Sequence, residues 1–384
     1  MQSLDDYASE KLDDLQRRHL RRTLAETMRE DGIWVERGGR RLLSFSCNDY
    51  LNLTQHPEIK AAAANALLRY GAGSGASRLV TGNHPLYAEL EARLAQIKET
   101  EAAVVFGSGY LANAGIIPVL IGRDGLVLLD ELSHACIFAG AQLSRGRVIV
   151  FRHNDVAHVE ELLTEHRAPH DHTLIVTDGV FSMDGDLAPL AELNELAQKH
   201  DTWLMSDDAH GLGVVGGGRG SSFANGAHVA LPLQMGTLSK AVGAYGGYLC
   251  ASAQVIELMR NRARTLIYST GLPPAIVAAA IAALDLIARE PDYAALPVQK
   301  AKAFTRLTNL PDAQSPIVPV IVGDEEVAMN AAQILADEGF LTAPIRPPSV
   351  PKGTARLRLT FTAQHPDAEI ERLAGLVRAR VLAR

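Results

Sequence analysis

The sequence is poor in cysteine and in long apolar runs. Its three cysteines, Cys47, Cys136 and Cys250, are odd in number and show no Cys-x-x-Cys spacing, so neither a disulfide framework nor a metal site is predicted. The longest apolar stretch, residues 273–287, contains Asp285 and is shorter than the ~20 residues that cross a bilayer. We therefore expect a reduced, cytoplasmic protein that does not enter a membrane.

The sequence also lacks an excess of positive charge. It has 37 Lys and Arg against 44 Asp and Glu, a formal net charge of −7 over 384 residues. Such a chain carries no general basic field for a phosphate backbone, so nucleic acid is not an expected partner. Its polar N-terminus shows no signal-peptide pattern. With 47% apolar and 21% charged residues, the composition predicts a soluble enzyme with two domains.

Short apolar runs alternate with helix-length segments through the middle of the chain. Runs of this kind, without polar alternation, are typical of strands buried on both faces of a mostly parallel sheet. The predicted strands are 102–106, 126–129, 148–151, 174–177, 203–206, 231–235 and 247–251. The predicted fold is therefore α/β, with a mostly parallel central sheet flanked by helices.

The two ends of the chain differ from this central pattern. Residues 1–31 alternate acidic and basic groups around scattered leucines, which predicts an amphipathic helix, and Gly38-Gly39 predicts a hairpin turn. After an Ala-rich helix at 273–290, a further alternation of strands and helices predicts a smaller α/β domain. The predicted divisions are an N-terminal helix and hairpin segment 1–50, a large cofactor-binding domain 51–288 and a small C-terminal domain 289–384.

The pattern that points most directly to chemistry is Gly-Thr-Leu-Ser-Lys at 236–240, which follows Asp-Asp-Ala-His-Gly at 207–211. Each segment comes at the end of an apolar run, where a parallel sheet brings polar residues to one crevice. A lysine amine forms a Schiff base with an aldehyde, and a carboxylate holds a pyridine nitrogen protonated. Lys240, Asp207 and His210 therefore predict a pyridoxal phosphate site. A surface lysine and ordinary turn residues are the alternative.

Other polar segments follow neighbouring predicted strands. Gly-Ser-Gly-Tyr at 107–110 opens a helix directly after a strand, and the free amides of a helix N-terminus bind anions. A helix cap without a ligand is the alternative there. Thr237 offers a hydroxyl to the same phosphate, and a Gly-rich loop at 178–186 closes the strand before 203–206. His134 lies near a helix start, where a buried core histidine is the alternative.

These segments, taken in order, resemble a known enzyme family. The motifs are Ser-Cys-Asn-Asp-Tyr-Leu at 46–51, Gly-Ser-Gly-Tyr at 107–110, Ser-His-Ala at 133–135, Asp-Gly-Val-Phe-Ser-Met-Asp-Gly-Asp at 178–186, Asp-Asp-Ala-His-Gly at 207–211 and Thr-Leu-Ser-Lys at 237–240. Along essentially its whole length, the chain resembles the α-oxoamine synthases, which are pyridoxal phosphate enzymes of fold type I. They join an amino acid to an acyl thioester with loss of carbon dioxide. Residues 345–358 are most similar to the biotin-pathway member.

The resemblance implies a role for each matching residue. Lys240 would bind the cofactor aldehyde and later move the substrate Cα proton, while Asp207 would pair with the ring nitrogen. The other implied cofactor contacts are His210 with the ring oxygen, His134 on the ring face, Ser182 at the ring, and Gly109, Tyr110 and Thr237 at the phosphate. The implied catalytic set is Lys240, His134, Asp207 and His210. The implied substrate contacts are Arg358 with the amino-acid carboxylate, and Arg21, Asn48, His134 and Ser349. Ser349 stands where the biotin-pathway enzymes usually carry threonine.

The resemblance also implies substrates and partners. The expected reaction condenses L-alanine with a pimeloyl thioester of coenzyme A or acyl carrier protein. The alternatives within the family are a 2-amino-3-ketobutyrate ligase and a 5-aminolevulinate synthase, which both use glycine. An alternative of another class is a catalytically silent subunit of a heterodimer. The family forms its two sites at a subunit interface, and residues 268–270 resemble a segment that reaches the partner's phosphate, so a homodimer is expected.

Overall fold

A mostly parallel sheet forms the centre of the computed structural model, which describes residues 2–18, 20–224 and 226–383. The strands in these residues are β1 (Met28–Asp31), β2 (Trp34–Arg37), β3 (Arg40–Ser44), β4 (Ala102–Phe106), β5 (Leu126–Asp130), β6 (Arg147–Phe151), β7 (Thr173–Asp178), β8 (Trp203–Asp207), β9 (Leu233–Thr237), β10 (Gly247–Ala251), β11 (Ile317–Gly323), β12 (Phe340–Leu341), β13 (Ala343–Ile345) and β14 (Ala355–Thr360).

The central sheet has the strand order β4-β10-β9-β8-β7-β5-β6. β10 pairs antiparallel with β4 and β9, and all the other pairs are parallel. Every residue of β5, β7, β9 and β10 is buried, as strands covered on both faces require. The seven predicted runs are these seven strands, which confirms the α/β prediction. The largest difference is at β9, which starts at Leu233.

Helices cover both faces of this sheet because its apolar side chains alternate between them. The helices are α1 (Leu4–Arg17), α2 (Pro57–Tyr70), α3 (Leu86–Lys98), α4 (Gly109–Leu120), α5 (Ala135–Ser144), α6 (Val156–His166), α7 (Leu190–Lys199), α8 (Ala253–Arg262), α9 (Arg264–Ile267), α10 (Pro274–Arg289), α11 (Pro291–Thr308), α12 (Glu325–Asp337) and α13 (Asp367–Leu376). On β4, Val104 belongs to an apolar cluster that includes residues of α4, α5, α8 and α9, whereas Val105 belongs to one that includes residues of α2, α3 and α10.

The Ala-rich segment forms α10, which packs on α2 and α3. Its buried face includes Val277 and Leu284, and Asp285 pairs with Arg93 at 2.7 Å near the surface. Within the residues that the structure describes, no helix is both long and apolar enough to cross a membrane.

Two smaller sheets pack beside the central one. β11, β14 and β13 form an antiparallel sheet, and β1, β2, β3 and β12 form a second sheet in which β12 runs parallel to β3. Phe45 from the N-terminal part contacts Phe340 and Phe361 in one apolar core. The ends of the chain are therefore packed together. The domain boundaries at 50 and 288 stay a prediction.

The N-terminal helix is shorter than predicted. α1 ends at Arg17, and β1 pairs with β2 within the range that the charge pattern predicts as helix. α1 buries no residue, and the alternating charges continue past Arg17, so the sequence could not show where the helix ends. Residues near β1 gain tertiary contacts instead, because Arg29 donates to the buried carboxylate of Asp49 at 3.0 Å. These contacts override the helical pattern.

Candidate active site

A cavity of about 170 Å³ lies at the carboxyl ends of β7, β8 and β9. Open α/β sheets bind ligands at this edge. The cavity is lined by Ser108, Gly109, Tyr110, His134, Cys136, Asp178, Asp207, Ala209, His210, Met235, Thr237, Ser239 and Lys240. The structure therefore brings together seven of the predicted site residues, which are Gly109, Tyr110, His134, Asp207, His210, Thr237 and Lys240.

Asp207 closes β8 and is almost fully buried. Asn113 donates to its Oδ2 at 2.7 Å, and the backbone N–H of Ala209 donates to its Oδ1 at 3.0 Å. Burial raises the pKa of Asp207, and both hydrogen bonds oppose that rise because they favour the charged form. Asp178, opposite it on β7, has its pKa raised well above the usual value by burial and by the charge of Asp207. The negative charge therefore resides preferentially on Asp207.

His210 lies against the hydroxyl of Tyr50. Nδ1 of His210 and the Tyr50 oxygen are 2.7 Å apart, and both side chains are buried. Burial lowers the pKa of His210 well below its usual value, and the charges of Lys240 and Arg358 lower it further. Burial raises the pKa of Tyr50 to about 12. His210 is therefore a neutral hydrogen-bonding group at neutral pH.

Lys240 follows β9 and lines the cavity. No hydrogen bond or ion pair joins its amine to another residue in the part of the chain that the structure describes. Burial lowers the pKa of Lys240, and the positive charge of Arg358 lowers it further. The turn that follows contains Gly243 at φ 69° and Gly246 at φ 134°, conformations that favour glycine. A free amine with a lowered pKa is suited to imine formation.

The N-terminus of α4 lies beside Thr237 at one end of the cavity. Ser108 caps this helix by accepting a backbone N–H at 3.2 Å, and the first amides of the helix, Gly109 and Tyr110, have no acceptor within it. A Cβ built on Gly109 would lie 3.3 Å from the Cβ of Thr237. The hydroxyls of Thr237 and Ser239 are 2.8 Å apart. The helix amides and the nearby Ser239 hydroxyl form an end that suits a phosphate, whereas the Thr237 hydroxyl donates to the carbonyl oxygen of Gly246 at 2.7 Å.

His134 stands at the edge of the cavity as the N-cap of α5. Its backbone N–H donates to Oδ2 of Asp178 at 2.9 Å, and its Nδ1 lies 2.8 Å from Sγ of Cys136. The residue is exposed, so the alternative of a buried core histidine is wrong. Its imidazole is available to lie on the face of a flat ring held in the cavity.

Three further predicted residues form a group beside the cavity without lining it. Arg358 is buried on β14, where its Nε donates to the carbonyl oxygen of Ser182 and its Nη2 donates to Oδ1 of Asn48 at 3.1 Å. Oδ1 of Asn48 also lies 3.3 Å from the hydroxyl of Tyr50. Because Tyr50 contacts His210, this group is connected to the cavity through hydrogen bonds.

Arg21 and Ser349 lie apart from the cavity that contains Lys240. Both border a surface cavity of about 490 Å³ between the N-terminal segment and residues 344–349. Ser349 also borders a neighbouring cavity of about 410 Å³, together with Ser133 next to His134. The structure therefore places Arg21 and Ser349 together, and their contact with a substrate stays a prediction.

Sequence reasoning missed several side chains around the cavity. Tyr50 contacts His210, and Asn113 contacts both Asp207 and Cys136. A signal existed for Asn113, because it follows Gly109 by four residues and so shares a face of α4 with the predicted anion site. Tyr50 lies within the recognised segment 46–51, but nothing in that segment indicates its partner.

The chain is similar to known proteins of one family. A family model described as aminotransferase class I and II matches residues 40–377. The chain belongs to this family. Among class I and II aminotransferase relatives, the 8-amino-7-oxononanoate synthase of Beijerinckia indica is 62% identical over 377 residues, 98% of each chain. This similarity confirms the predicted resemblance to the α-oxoamine synthases.

Solved structures of the family share the fold. Serine palmitoyltransferase from S. paucimobilis, solved with PLP and myriocin, matches with a TM-score of 0.90 and 30% identity over 97% of this chain and 96% of that one. The 8-amino-7-oxononanoate synthase from Francisella tularensis matches with a TM-score of 0.76 and 25% identity over 89% of this chain and 98% of that one.

Proposed function

We propose that this family member is a pyridoxal phosphate-dependent acyltransferase of biotin biosynthesis. It condenses L-alanine with a pimeloyl thioester to give 8-amino-7-oxononanoate, carbon dioxide and the free thiol carrier. The observation that carries the proposal is the meeting of the free amine of Lys240 with Asp207 and His210 in one cavity, in a chain 62% identical to a synthase of that name.

The residues around the cavity fit the cofactor. The amine of Lys240 is free to bond with an aldehyde, and the donors to Asp207 favour the carboxylate that a protonated ring nitrogen needs. The helix amides at Gly109 and Tyr110 suit its phosphate. When bound, pyridoxal phosphate supplies an electron sink for negative charge at the substrate Cα.

The same residues account for proton transfer and for substrate orientation. Because burial and Arg358 lower the pKa of Lys240, its amine loses a proton more readily than an exposed lysine does and is suited to act as a base. Arg358 has five N–H donors and uses Nε and Nη2 on Ser182 and Asn48. Its remaining donors are suited to hold the amino-acid carboxylate.

Product analysis tests this proposal. The purified protein, loaded with pyridoxal phosphate, is incubated with a pimeloyl thioester and either L-alanine, glycine or L-serine. We expect 8-amino-7-oxononanoate, detected by mass spectrometry, with alanine, and much less product with the other two. Turnover with glycine in preference to alanine would instead support one of the glycine-dependent relatives. A protein that stays colourless with pyridoxal phosphate would support the silent-subunit alternative.

Exposed apolar and aromatic side chains support a homodimer. Leu79 is 61% exposed, Val80 74% and Tyr268 74%, and Tyr110 at the start of α4 is also exposed. Apolar patches of this kind mark association surfaces. Leu79→Glu should therefore convert a dimer to a monomer in light-scattering measurements, whereas Leu258→Glu, at an exposed position on α8, serves as the control. A parent protein that is monomeric would overturn the proposal.

The N-terminal arginines are candidates for contacting the acyl carrier. Arg17 and Arg18 pair with Asp14 at 3.5 and 3.3 Å, whereas Arg21 and Arg22 border the 490 Å³ cavity. Arg21→Ala should raise KM for the acyl thioester while leaving KM for alanine unchanged. Steady-state rates with pimeloyl-coenzyme A and with the pimeloyl carrier protein identify which carrier is used.

A further inference from the structure

A continuous series of hydrogen bonds joins His134 to Asp207 beneath the cavity. Nδ1 of His134 lies 2.8 Å from Sγ of Cys136, which accepts from Nδ2 of Asn113 at 3.2 Å. The same Nδ2 donates to Oδ2 of Asp207 at 2.7 Å. Cys136 and Asn113 are both buried. The series therefore connects the imidazole at the edge of the cavity with the acid at its base.

The direction of the bonds at His134 follows from the donors. The backbone N–H of Cys136 can only donate, and it lies 3.3 Å from Nδ1 of His134, so Nδ1 is an acceptor. Burial raises the pKa of the Cys136 thiol to about 12, so the thiol keeps its proton and donates to the same nitrogen. The neutral imidazole therefore carries its proton on Nε2, and its ring orientation is fixed by Cys136.

Asn113 provides the second half of the connection. Its amide nitrogen has two hydrogens, and these are matched by two acceptors, Oδ2 of Asp207 and Sγ of Cys136. The close approach of α4 and α5 positions it, because a Cβ built on Gly140 would lie 2.5 Å from the backbone oxygen of Asn113. Only glycine allows the two helices to come this near, and so allows Asn113 to reach Cys136.

We propose that Asn113 and Cys136 are positioning residues that hold Asp207 and His134 in the geometry needed to bind the cofactor ring. Asn113 keeps one oxygen of Asp207 in place and favours its charged form, and Cys136 sets the orientation of His134. The inference rests on the proposed function only in taking the ring to be that of pyridoxal phosphate. It does not depend on which amino acid or thioester is the substrate.

The first test measures the affinity of the apoprotein for pyridoxal phosphate by equilibrium dialysis. Asn113→Leu retains a similar shape but removes both donors, and we expect the dissociation constant to rise about tenfold or more, since a hydrogen bond to a charged group is lost. The visible absorption of the loaded protein should also shift, because Asp207 loses a donor that favours its charged form. An affinity and a spectrum like those of the parent would overturn the role of Asn113.

Cys136 variants keep the proposal testable if Asn113→Leu does not fold. Cys136→Ala removes the thiol donor and should raise the dissociation constant about threefold, whereas Cys136→Ser keeps a donor and should restore most of the affinity. Cys250→Ala is the matched control, because Cys250 is equally buried but lies on β10 and does not line the cavity. Equal losses for Cys136→Ala and Cys136→Ser would contradict the proposal.

A double-mutant cycle separates positioning from general destabilisation. If Cys136 acts largely through His134, Cys136→Ala should have a smaller effect on cofactor affinity in a His134→Ala background, where only its bond with Asn113 is lost. An undiminished effect there would show that Cys136 acts by another route. Because no substrate is present in these measurements, a failure to form 8-amino-7-oxononanoate would leave their outcome unchanged and would count only against the proposed reaction.

Discussion

Two lysines near the end of β8 lie in contrasting environments. Lys98, on the side of α3, is completely buried, and its amine donates to Asp208 and, at 2.7 Å, to the carbonyl oxygen of Arg219. Lys240, on the cavity side, is only partly buried and has no hydrogen-bond or ion-pair partner among the described residues. The two adjacent aspartates divide in the same way. Asp208 pairs with Lys98, whereas Asp207 lines the cavity that contains Lys240.

The presence or absence of partners distinguishes the structural amine of Lys98 from the reactive amine of Lys240. The carboxylate of Asp208 accepts from Lys98 and also from the backbone N–H of Ser221 at 3.0 Å. The amine of Lys98 is therefore held in hydrogen bonds and is not available to react. A buried charge whose partner is removed is strongly unfavourable, whereas a partnered one is tolerated. Lys240 lacks such a partner, and its lowered pKa keeps its amine available for bonding.

The largest expected effect is on the reactive side. Lys240→Ala should lower kcat by more than about 10³-fold, because both the covalent attachment and the base are lost. Borohydride treatment followed by mass spectrometry should find no trapped cofactor, although the protein stays folded by circular dichroism. Cofactor trapped covalently in this variant would assign the attachment to another lysine.

Substitution of Lys98 should lower the stability of the protein. Lys98→Met should lower the free energy of unfolding by about 3–5 kcal/mol, because Asp208 becomes an unpaired buried charge. Adding Asp208→Asn should recover much of the loss, since that variant is neutral and still accepts from Ser221. Urea unfolding of the apoprotein measures both.

A control for this prediction uses an exposed ion pair. Lys199 pairs with Glu160 at 2.5 Å with 62% of its side chain exposed, so Lys199→Met should change the free energy of unfolding far less than Lys98→Met does. A Lys98→Met protein as stable as Lys199→Met would remove the contrast between the two regions.

Tyr50→Phe should have an intermediate effect on the cavity side. It removes the hydroxyl that contacts His210 and leaves a buried nitrogen unpaired, which typically costs about 1–3 kcal/mol. We expect kcat/KM for alanine to fall about tenfold. Tyr293→Phe is the control, because its hydroxyl donates to the carbonyl of Leu51 at 2.9 Å and does not line the cavity. Equal losses in both variants would indicate a packing effect.

The smallest expected effect is a pH dependence of apoprotein stability. The folded-state pKa of Lys240 is lowered, so between that pKa and the ordinary value the unfolded chain binds more protons, and stability rises with pH. Lys240→Met removes this titration. It should therefore be more stable than the parent at neutral pH, and the difference should narrow as the pH rises from the lowered pKa toward the ordinary lysine value. A difference that is constant with pH would show that the pKa of Lys240 is not lowered.

Most of the fold could be predicted from the sequence because its strands are continuous apolar runs. β4 and β10 coincide with their predicted ranges, since strands buried on both faces admit few polar residues. The end of α1 could not be predicted, because the helix buries no residue and the alternating charges continue through residues 18–31 beyond it.

Only part of the candidate site could be predicted from the sequence. Lys240 and Asp207 each follow a buried strand, so the topology of the sheet was enough to predict that they meet. The contacts of Asn113 and Tyr50 depend on how helices and loops pack, and the close approach at Gly140 has no signature in a single sequence. Arg21 and Ser349 border a surface cavity other than the one that contains Lys240, and no local sequence pattern predicts that separation.

The parallel pairing of β3 with β12 has a consequence for synthesis on the ribosome. Ser46, just after β3, donates its hydroxyl to the carbonyl of Leu341, 295 positions later. At translation rates of about 5–20 residues per second, the N-terminal hairpin waits roughly 15–60 s for this partner. Leu43 and Phe45 are completely buried in the folded protein. During that time their side chains stay exposed, because the C-terminal residues that cover them have not been synthesised. Nascent chains should therefore need chaperone protection at their first fifty residues or so until the C-terminal strands emerge.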